Sequence, residues 1–463
     1  MLRSIFRFIV GGVALAAFLA PLLATAQAVA AEDRPALEAQ KEALFQQMFR
    51  DPANLDVTFA YADVSARLGV YEAAVSALER MLLFNPNLPR VQLELGALYF
   101  KMGSYELARD YFDKTAAANP PPEVLARVEQ FRAEIEKGQS RHHLTGYVFT
   151  GIQYQSDANV AGASQLLTPT FFGPQLVLLN APFTKQSSGS IFASSSLLYS
   201  YDLETQNRDT LEVTNINYLN HYFNSLVTRL DLSLLEVTGG PRLNFPNGGL
   251  VGDKLASFKP YVILDEVGLG WDQYFNAYGG GLEYDEIVWN DMPIKAVYEF
   301  RQKNYTNAPT RPLSRGLNGS DNLVSVQATK PISPNSAVTF QFDYLNQSTR
   351  LAYYSNRSYA ITGAYRIRYD DPTGITSTTW ETTPFVGRAW SYYDAPDPCC
   401  VTGPAGGISS QLTQRWRFGL THTIALTSTV GIVLQAERDI ISSNLPLYAY
   451  NNTTFLIGPQ IRF

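Results

Sequence analysis

Apolar and polar positions follow three different rhythms along the chain. Residues 8–23 form an unbroken apolar run behind Arg3 and Arg7, and small residues follow at Ala24-Thr25-Ala26 and Ala28-Val29-Ala30. A positive start, a short apolar stretch and small-residue cleavage points predict a secretory leader over 1–31, short of the ~20 residues that a membrane-spanning helix needs. No cysteine lies near the cut, which argues against a lipid-anchored terminus. From 32 to 137 the spacing is helical and rich in Ala, Leu, Glu and Arg. From 144 onward the period is two. Leu226, Thr228, Leu230, Leu232 and Leu234 alternate with Val227, Arg229, Asp231 and Ser233, and Val338, Phe340, Phe342 and Tyr344 with Thr339, Gln341 and Asp343. The longest alternating segment, Tyr359–Tyr369, runs to eleven residues, longer than the ~5–6 of an ordinary soluble strand. No segment after the leader reaches 18 consecutive apolar residues, which excludes a mature helical membrane protein.

The helical stretch repeats itself. Gly69, Tyr71, Ala74 and Pro86 return 34 residues later as Gly103, Tyr105, Ala108 and Pro120, and Pro52 precedes Pro86 by the same interval. This period and spacing resemble the tetratricopeptide repeat, with the clearer copy at Val91–Tyr99, Gly103–Ala108, Phe112 and Asn119-Pro120. Glycines turn the chain between paired helices and prolines end the second one. Single helices over 37–50 and 122–137 are expected to cover the ends of the stack. The resemblance places a peptide-binding groove along the first helix of each pair, at Asp56, Phe59, Asp63 and Arg67, and at Arg90, Leu93, Ala97 and Lys101. A solvated face, or a dock for the barrel, is the alternative for these eight.

Ten-residue strands tilted by ~45° match a bilayer, and alternation suits a wall with lipid on one face and water on the other. The last strand is the most specific: Phe455, Ile457, Pro459, Ile461 and the terminal Phe463 share one face. That stripe resembles the signal that outer-membrane barrels offer to their assembly machinery. The fold class predicted is α + β multidomain: leader 1–31, helical repeats 32–137, a linker 138–143, and an antiparallel transmembrane β-barrel of about 14 strands (12–16) over 144–463. Parity assigns to the lumen Arg229, Asp231, Lys295, Glu299, Arg301, Lys303, Asp343, Arg366, Arg368, Arg415 and Arg417. These charges either create a field across a pore that selects solutes or pair with one another to brace the wall.

Composition sharpens this picture. Charged residues make up 17% and aromatics 13%, while mean hydropathy is only −0.10. The net charge of −6 argues against a nucleic-acid partner, and four His with two Cys leave little for a metal site or disulfide scaffold. Neither a Ser–His–carboxylate set nor Gly-x-Ser-x-Gly can be assembled around Asn220-His221, so no enzyme and no cofactor are expected. Cys399-Cys400 stand side by side in a Pro/Gly-rich stretch, free or joined in a strained vicinal bond.

Several stretches together resemble the surface lipoprotein assembly modifier family: Arg90–Tyr99, Pro121–Val124, Gly151–Val160, Glu299–Tyr305 and Gly458–Phe463. The Gln155–Asn159 stretch departs from the Asp-x-Asn-x-Asn flavour expected there. The resemblance implies a bacterial outer-membrane barrel with periplasmic repeats. It would receive a periplasmic client, a lipoprotein or another exported protein, and help move it to the cell surface. Outer-membrane lipids and the barrel assembly machinery are the other partners implied. The rival readings are a polysaccharide-export porin, which usually carries many more repeats, and a passive solute porin whose repeats are structural.

Overall fold

In the computed structural model, contacts divide the chain into a helical unit ending at Arg141 and a barrel unit, His142–Phe463. The structure describes residues 34–51, 54–118, 120–161, 166–167, 177–178, 184–246, 248–251, 255–289, 291–376, 378–396 and 409–463. The expected leader, Pro52, Asn119 and Cys399-Cys400 lie outside the described residues.

Among the described residues the helical unit holds six helices: α1 (Arg34–Arg50), α2 (Leu55–Arg67), α3 (Tyr71–Phe84), α4 (Pro89–Lys101), α5 (Tyr105–Ala117) and α6 (Pro122–Gln139). Asn54 caps α2 by accepting the Val57 N–H at 3.2 Å. Gly69 and Gly103 take positive φ, +77° and +75°, just past α2 and α4. Each opens a six-to-one closure, Val70 N–H to Ser65 O and Ser104 N–H to Tyr99 O, both 2.9 Å. A Cβ residue would be strained in that left-handed geometry, which explains why glycine recurs 34 residues apart. Small residues let paired helices cross closely: a Cβ added at Gly96 would come within 2.6 Å of the Phe112 ring. Leu78, Leu95 and Phe112 are fully buried between the helices. These are tetratricopeptide-like repeats, two helix pairs between two terminal helices.

The barrel closes with 14 antiparallel strands. In chain order they are β1 (His142–Gln155), β4 (Ser188–Asp202), β5 (Thr210–Tyr222), β6 (Leu232–Phe245), β7 (Ala256–Leu269), β8 (Asp272–Val288) and β9 (Met292–Tyr305). β10 (Gly319–Ser333), β11 (Ser336–Thr349), β12 (Asn356–Asp370), β13 (Thr379–Tyr393), β14 (Leu412–Ala425), β15 (Val430–Ser443) and β16 (Tyr450–Arg462) complete the wall. A separate two-stranded pair, β2 (Leu166–Leu167) and β3 (Val177–Leu178), stands between β1 and β4. Every wall strand pairs with its sequence neighbour, and β1 joins β16.

Closure at that joint depends on glycine. A Cβ at Gly458 would stand 1.9 Å from the Thr150 carbonyl oxygen, and one at Gly151 2.2 Å from that of Ile457. The β1–β16 register skips the rungs between Ile152↔Ile457 and Phe149↔Gln460. Pro459 stands opposite Thr150 in this gap, at a register position whose N–H would donate to β1, so its missing N–H interrupts the ladder there. Beyond it, Gly146 and the terminal Phe463 exchange backbone bonds of 2.9 and 3.1 Å. Phe455, Ile457, Ile461 and Phe463 all point outward and are exposed.

Two sequence expectations need correcting. Leu226–Leu234 alternates but is not one strand: Thr228–Leu230 is a 3-10 turn and β6 begins at Leu232. Side chains replace the ladder there. Asp231 accepts the Tyr222 N–H at 2.9 Å, and Asn220 accepts the Leu232 N–H at 2.6 Å. The junction between units is also shorter than the expected 138–143. Helix α6 takes Gly138 and Gln139, β1 begins at His142, and only Ser140 and Arg141 lie between.

Candidate functional site: the charged lumen and the helical face

The strand register sorts the barrel residues into two faces. Outward positions include Val262, Phe340, Phe342 and Phe418, all exposed. Their neighbours in sequence point inward, and there the charges gather into three networks. In the first, Arg242 on β6 reaches Glu212 (2.7 Å), Glu283 (2.6 Å) and Asp285 (2.7 Å). Lys259 bonds Glu212 at 2.8 Å, and Lys295 bonds Glu283 at 3.0 Å. In the second, Arg301 bridges Glu236 and Asp265 at 2.9 Å each and Glu299 at 2.8 Å. The Tyr261 hydroxyl donates to Glu299 at 2.8 Å, and Lys303 pairs with Asp321. In the third, Arg415 meets Asp439 at 2.6 Å, and Arg417 grips Glu437 at 2.7 and 3.1 Å.

Nine of the eleven expected lumen charges thus lie on the inward face: Lys295, Glu299, Arg301, Lys303, Asp343, Arg366, Arg368, Arg415 and Arg417. Arg368 pairs with Glu381 at 2.9 Å, whereas Asp343 accepts hydrogen bonds from Ser325 (2.6 Å) and Gln341 (2.9 Å). Among the described residues Arg366 makes no ion pair. The other two are not in the wall. Arg229 sits in the 3-10 turn before β6, and Asp231 is a buried cap that also meets His221 Nδ1 (2.6 Å) and the Trp271 indole N–H (3.2 Å). Sequence reasoning missed most of the partner acids, from Glu212, Glu236 and Asp265 to Glu437 and Asp439. Their parity was a usable signal: Glu283 and Asp285 alternate with Leu282 and Tyr284. Dense pairing lets the groups of the three networks sit together in a confined interior, since Arg242, Arg301, Arg415 and Arg417 each have a carboxylate at hydrogen-bond distance.

At the end of the barrel away from Phe463, the stretch after β1 is bolted to the wall. The Asp157 N–H donates to Asn452 Oδ1 at 3.0 Å, and Asp157 Oδ1 accepts the Ala161 N–H at 3.1 Å. Asn159 donates to Thr184 O (2.6 Å) and accepts the Gln186 N–H (2.9 Å), clamping the two ends of the connection to β4. Burial pushes the Asp157 carboxyl up to about 6, because a charge loses its hydration there.

In the helical unit, six of the eight expected groove residues are accessible or partly so. Arg90 lies over the Phe59 ring at 4.5 Å, Arg67 pairs with Asp63 at 3.7 Å, and Lys101 lies 6.0 Å from the Tyr71 ring centroid. Asp56 is exposed. Leu93 and Ala97 are buried instead, 6% and 7% exposed. Leu93 packs with Phe112, Val128 and Ile135, so α6 covers the part of α4 that was expected to face a ligand. Beside this face the Tyr99 hydroxyl donates to Glu79 at 2.6 Å. Burial and that carboxylate raise the Tyr99 pKa, keeping the phenol protonated.

No family model matches the chain, and no curated protein matches it. Among solved structures it is similar to MamA, at 20% identity and a TM-score of 0.21, covering 22% of this chain and 58% of that one. It is similar to PcrH, solved with the chaperone binding region of PopD, at 15% identity and 0.22, covering 23% and 83%. Over the larger part of the chain it is similar to an outer membrane channel from Pseudomonas putida F1, at 14% identity and 0.34, covering 69% and 96%. Every one of these TM-scores lies below 0.5, so the likenesses carry no functional argument.

Proposed function

We propose that this chain is an outer-membrane translocation factor. Its helical repeats receive an exported protein or lipoprotein in the periplasm, and its barrel helps deliver that client to the surface. The observation that carries this reading is the pairing itself: tetratricopeptide-like helices run into a lipid-compatible barrel across only Ser140 and Arg141. The barrel face supports the membrane half, with outward Phe, Ile, Val and Trp side chains and inward charges. The repeat face supports the client half, offering Phe59, Asp56 and Asp63 beside Arg67, Arg90 and Lys101.

Deleting 32–137 tests it by surface biotinylation and proteomics of intact cells. The expected result is loss of one or more surface proteins while the barrel still assembles. Unchanged surface proteins would refute client delivery. A passive channel is the second reading, favoured by the polar, charge-lined lumen. It predicts stepwise conductance in planar bilayers that survives the same deletion.

A further inference from the structure

The outward face of β13–β15 carries two arginines that the lumen logic does not explain. On β13 the outward positions run Pro384, Val386, Arg388, Trp390 and Tyr392, and Arg388 stands opposite Ile361 on β12 and Trp416 on β14. On β15, Arg438 stands opposite outward Phe418 on β14 and Thr453 on β16. Lumen cations such as Arg242, Arg301 and Arg417 face carboxylates. Among the described residues neither Arg388 nor Arg438 makes an ion pair.

The surroundings of Arg388 hold it in place without neutralising it. Its guanidinium lies 4.9 Å from the Trp390 ring centroid and 4.6 Å from that of Trp416. One terminal nitrogen donates to Gln414 Oε1 at 3.2 Å, and its Nε is buried without a partner. Arg438 is exposed and donates to Thr453 Oγ1 at 2.5 Å. Between the two arginines, Trp416 and Phe418 stack at 5.8 Å and 10°. Arg388 is one step and Arg438 one further rung inside the aromatic belt of Trp390, Tyr392 and Tyr359, at the end of the barrel away from Phe463. Aromatic side chains at that level mark the boundary between hydrocarbon and headgroups. Among the described residues neither Arg388 nor Arg438 meets a carboxylate there, and the anions available from the lipid side are headgroup phosphates.

We propose that Arg388 and Arg438, spaced by the Trp416–Phe418 stack, bind the phosphate groups of an outer-leaflet lipid. The proposal rests on the reading that the barrel spans the outer membrane with its terminus on the periplasmic side. Two guanidiniums each donate several N–H groups in a fixed fork, which suits phosphate oxygens. Trp390 and Trp416 hold the Arg388 plane by cation–π contact, and their ring faces cover the first acyl carbons.

The test uses the full chain, folded into phosphatidylcholine vesicles containing either bis-phosphorylated lipid A or its dephosphorylated form. After re-extraction in mild detergent, native mass spectrometry counts the lipid retained. The wild type is expected to retain lipid A, and R388A/R438A to lose it by at least about tenfold while migrating as a folded barrel. R388K/R438K should retain an intermediate amount, since the charge stays and the fork is lost. Equal retention by the double-alanine variant, or equal retention of the dephosphorylated lipid, overturns the site. Competition by millimolar inorganic phosphate alone would also overturn it, by showing a free-anion site. A wild-type chain that entered no vesicle would overturn the membrane reading together with the site, whereas insertion with unchanged retention overturns the site alone.

Discussion

The two units keep their charges in opposite places. In the helical unit the apolar groups are inside: Leu95 and Phe112 are fully buried, and ion pairs such as Lys114–Asp110 and Arg132–Asp113 lie on the surface. In the barrel, Phe340 and Val262 are 61% and 62% exposed, while Arg301 and its three acids are turned inward. One chain therefore solves two burial problems. The helical unit hides carbon from water, and the barrel presents carbon to lipid and gathers polar groups around a wet axis. The contrast teaches where each unit is fragile: helix packing should fail through cavities, the barrel through lost closure or an orphaned charge.

The largest effect is expected at the closure. Gly458→Val places side-chain atoms against the Thr150 carbonyl, a backbone group that cannot swing away. The β1–β16 joint should not form, and the exposed strand edges should drive aggregation. The compact band of an unheated sample on a denaturing gel should disappear, while helical ellipticity at 222 nm persists. A normal compact band would show that the joint tolerates the side chain and that closure is not the barrel's weak point.

Next come two substitutions that should act on one unit each. Arg301→Ala leaves Glu236, Asp265 and Glu299 around an empty position, and removing one partner of such a network costs about 3–5 kcal/mol. Phe112→Ala opens a cavity between α4, α5 and α6, also at about 3–5 kcal/mol. All five tryptophans lie after residue 270, so indole fluorescence reports on the barrel alone and 222 nm ellipticity weighs the helices. R301A should lower the denaturant midpoint seen by fluorescence, and F112A the one seen by ellipticity. A shift of both midpoints by either substitution would mean that the units unfold together.

These particulars also show what a single sequence can reveal. Strand parity was legible because lipid and water each impose one face: β11 reads correctly from Phe340, Phe342 and Tyr344 alone. The helical repeat was legible because two glycines need the same left-handed geometry 34 residues apart. Pairing across strands was not legible, because Arg242 finds Glu283 and Asp285 about forty residues away through a register that no single strand encodes. Leu226–Leu234 misled because alternation cannot distinguish a strand from a turn whose backbone is satisfied by Asp231 and Asn220. Leu93 misled because α6 covers its face. Arg388 and Arg438 break the parity rule itself, which is why they stand apart from the lumen charges.

A smaller effect is expected at Asp157, and it depends on pH. Its carboxyl, pushed up to about 6 in the fold, ionises nearer 4 in the unfolded chain. A folded-state value above the unfolded one stabilises the fold fully below pH 4 and loses that contribution as pH rises through 6. The turn at 157–161 should therefore open more readily at pH 7.5 than at pH 5. Hydrogen exchange at the Ala161 amide, which donates to Asp157 Oδ1, reads this directly. Asp157→Asn should flatten the pH dependence, since the amide keeps an acceptor and carries no charge. Exchange at Ala161 that slows as pH rises, after correction for intrinsic rates, would contradict the assignment.

The smallest effect should come from the helical surface. Arg132 pairs with Asp113 at 2.5 Å and Glu129 at 2.6 Å, but both acids are more than half exposed. Water already solvates these charges, so the pair gains little over separation, and Arg132→Ala should cost about 0.2–1 kcal/mol. Short distances do not rescue it: the Arg301–Glu299 pair is longer, at 2.8 Å, yet its loss is expected to cost several times more. What separates the two arginines is the solvent that each carboxylate regains when its partner is removed. Added salt provides the check, because 0.5 M salt should erase the Arg132→Ala difference and leave most of the Arg301→Ala difference in place. If both differences shrank alike, the lumen would be as well screened as the outer surface of a helix, and the contrast between the two units would lose its electrostatic half.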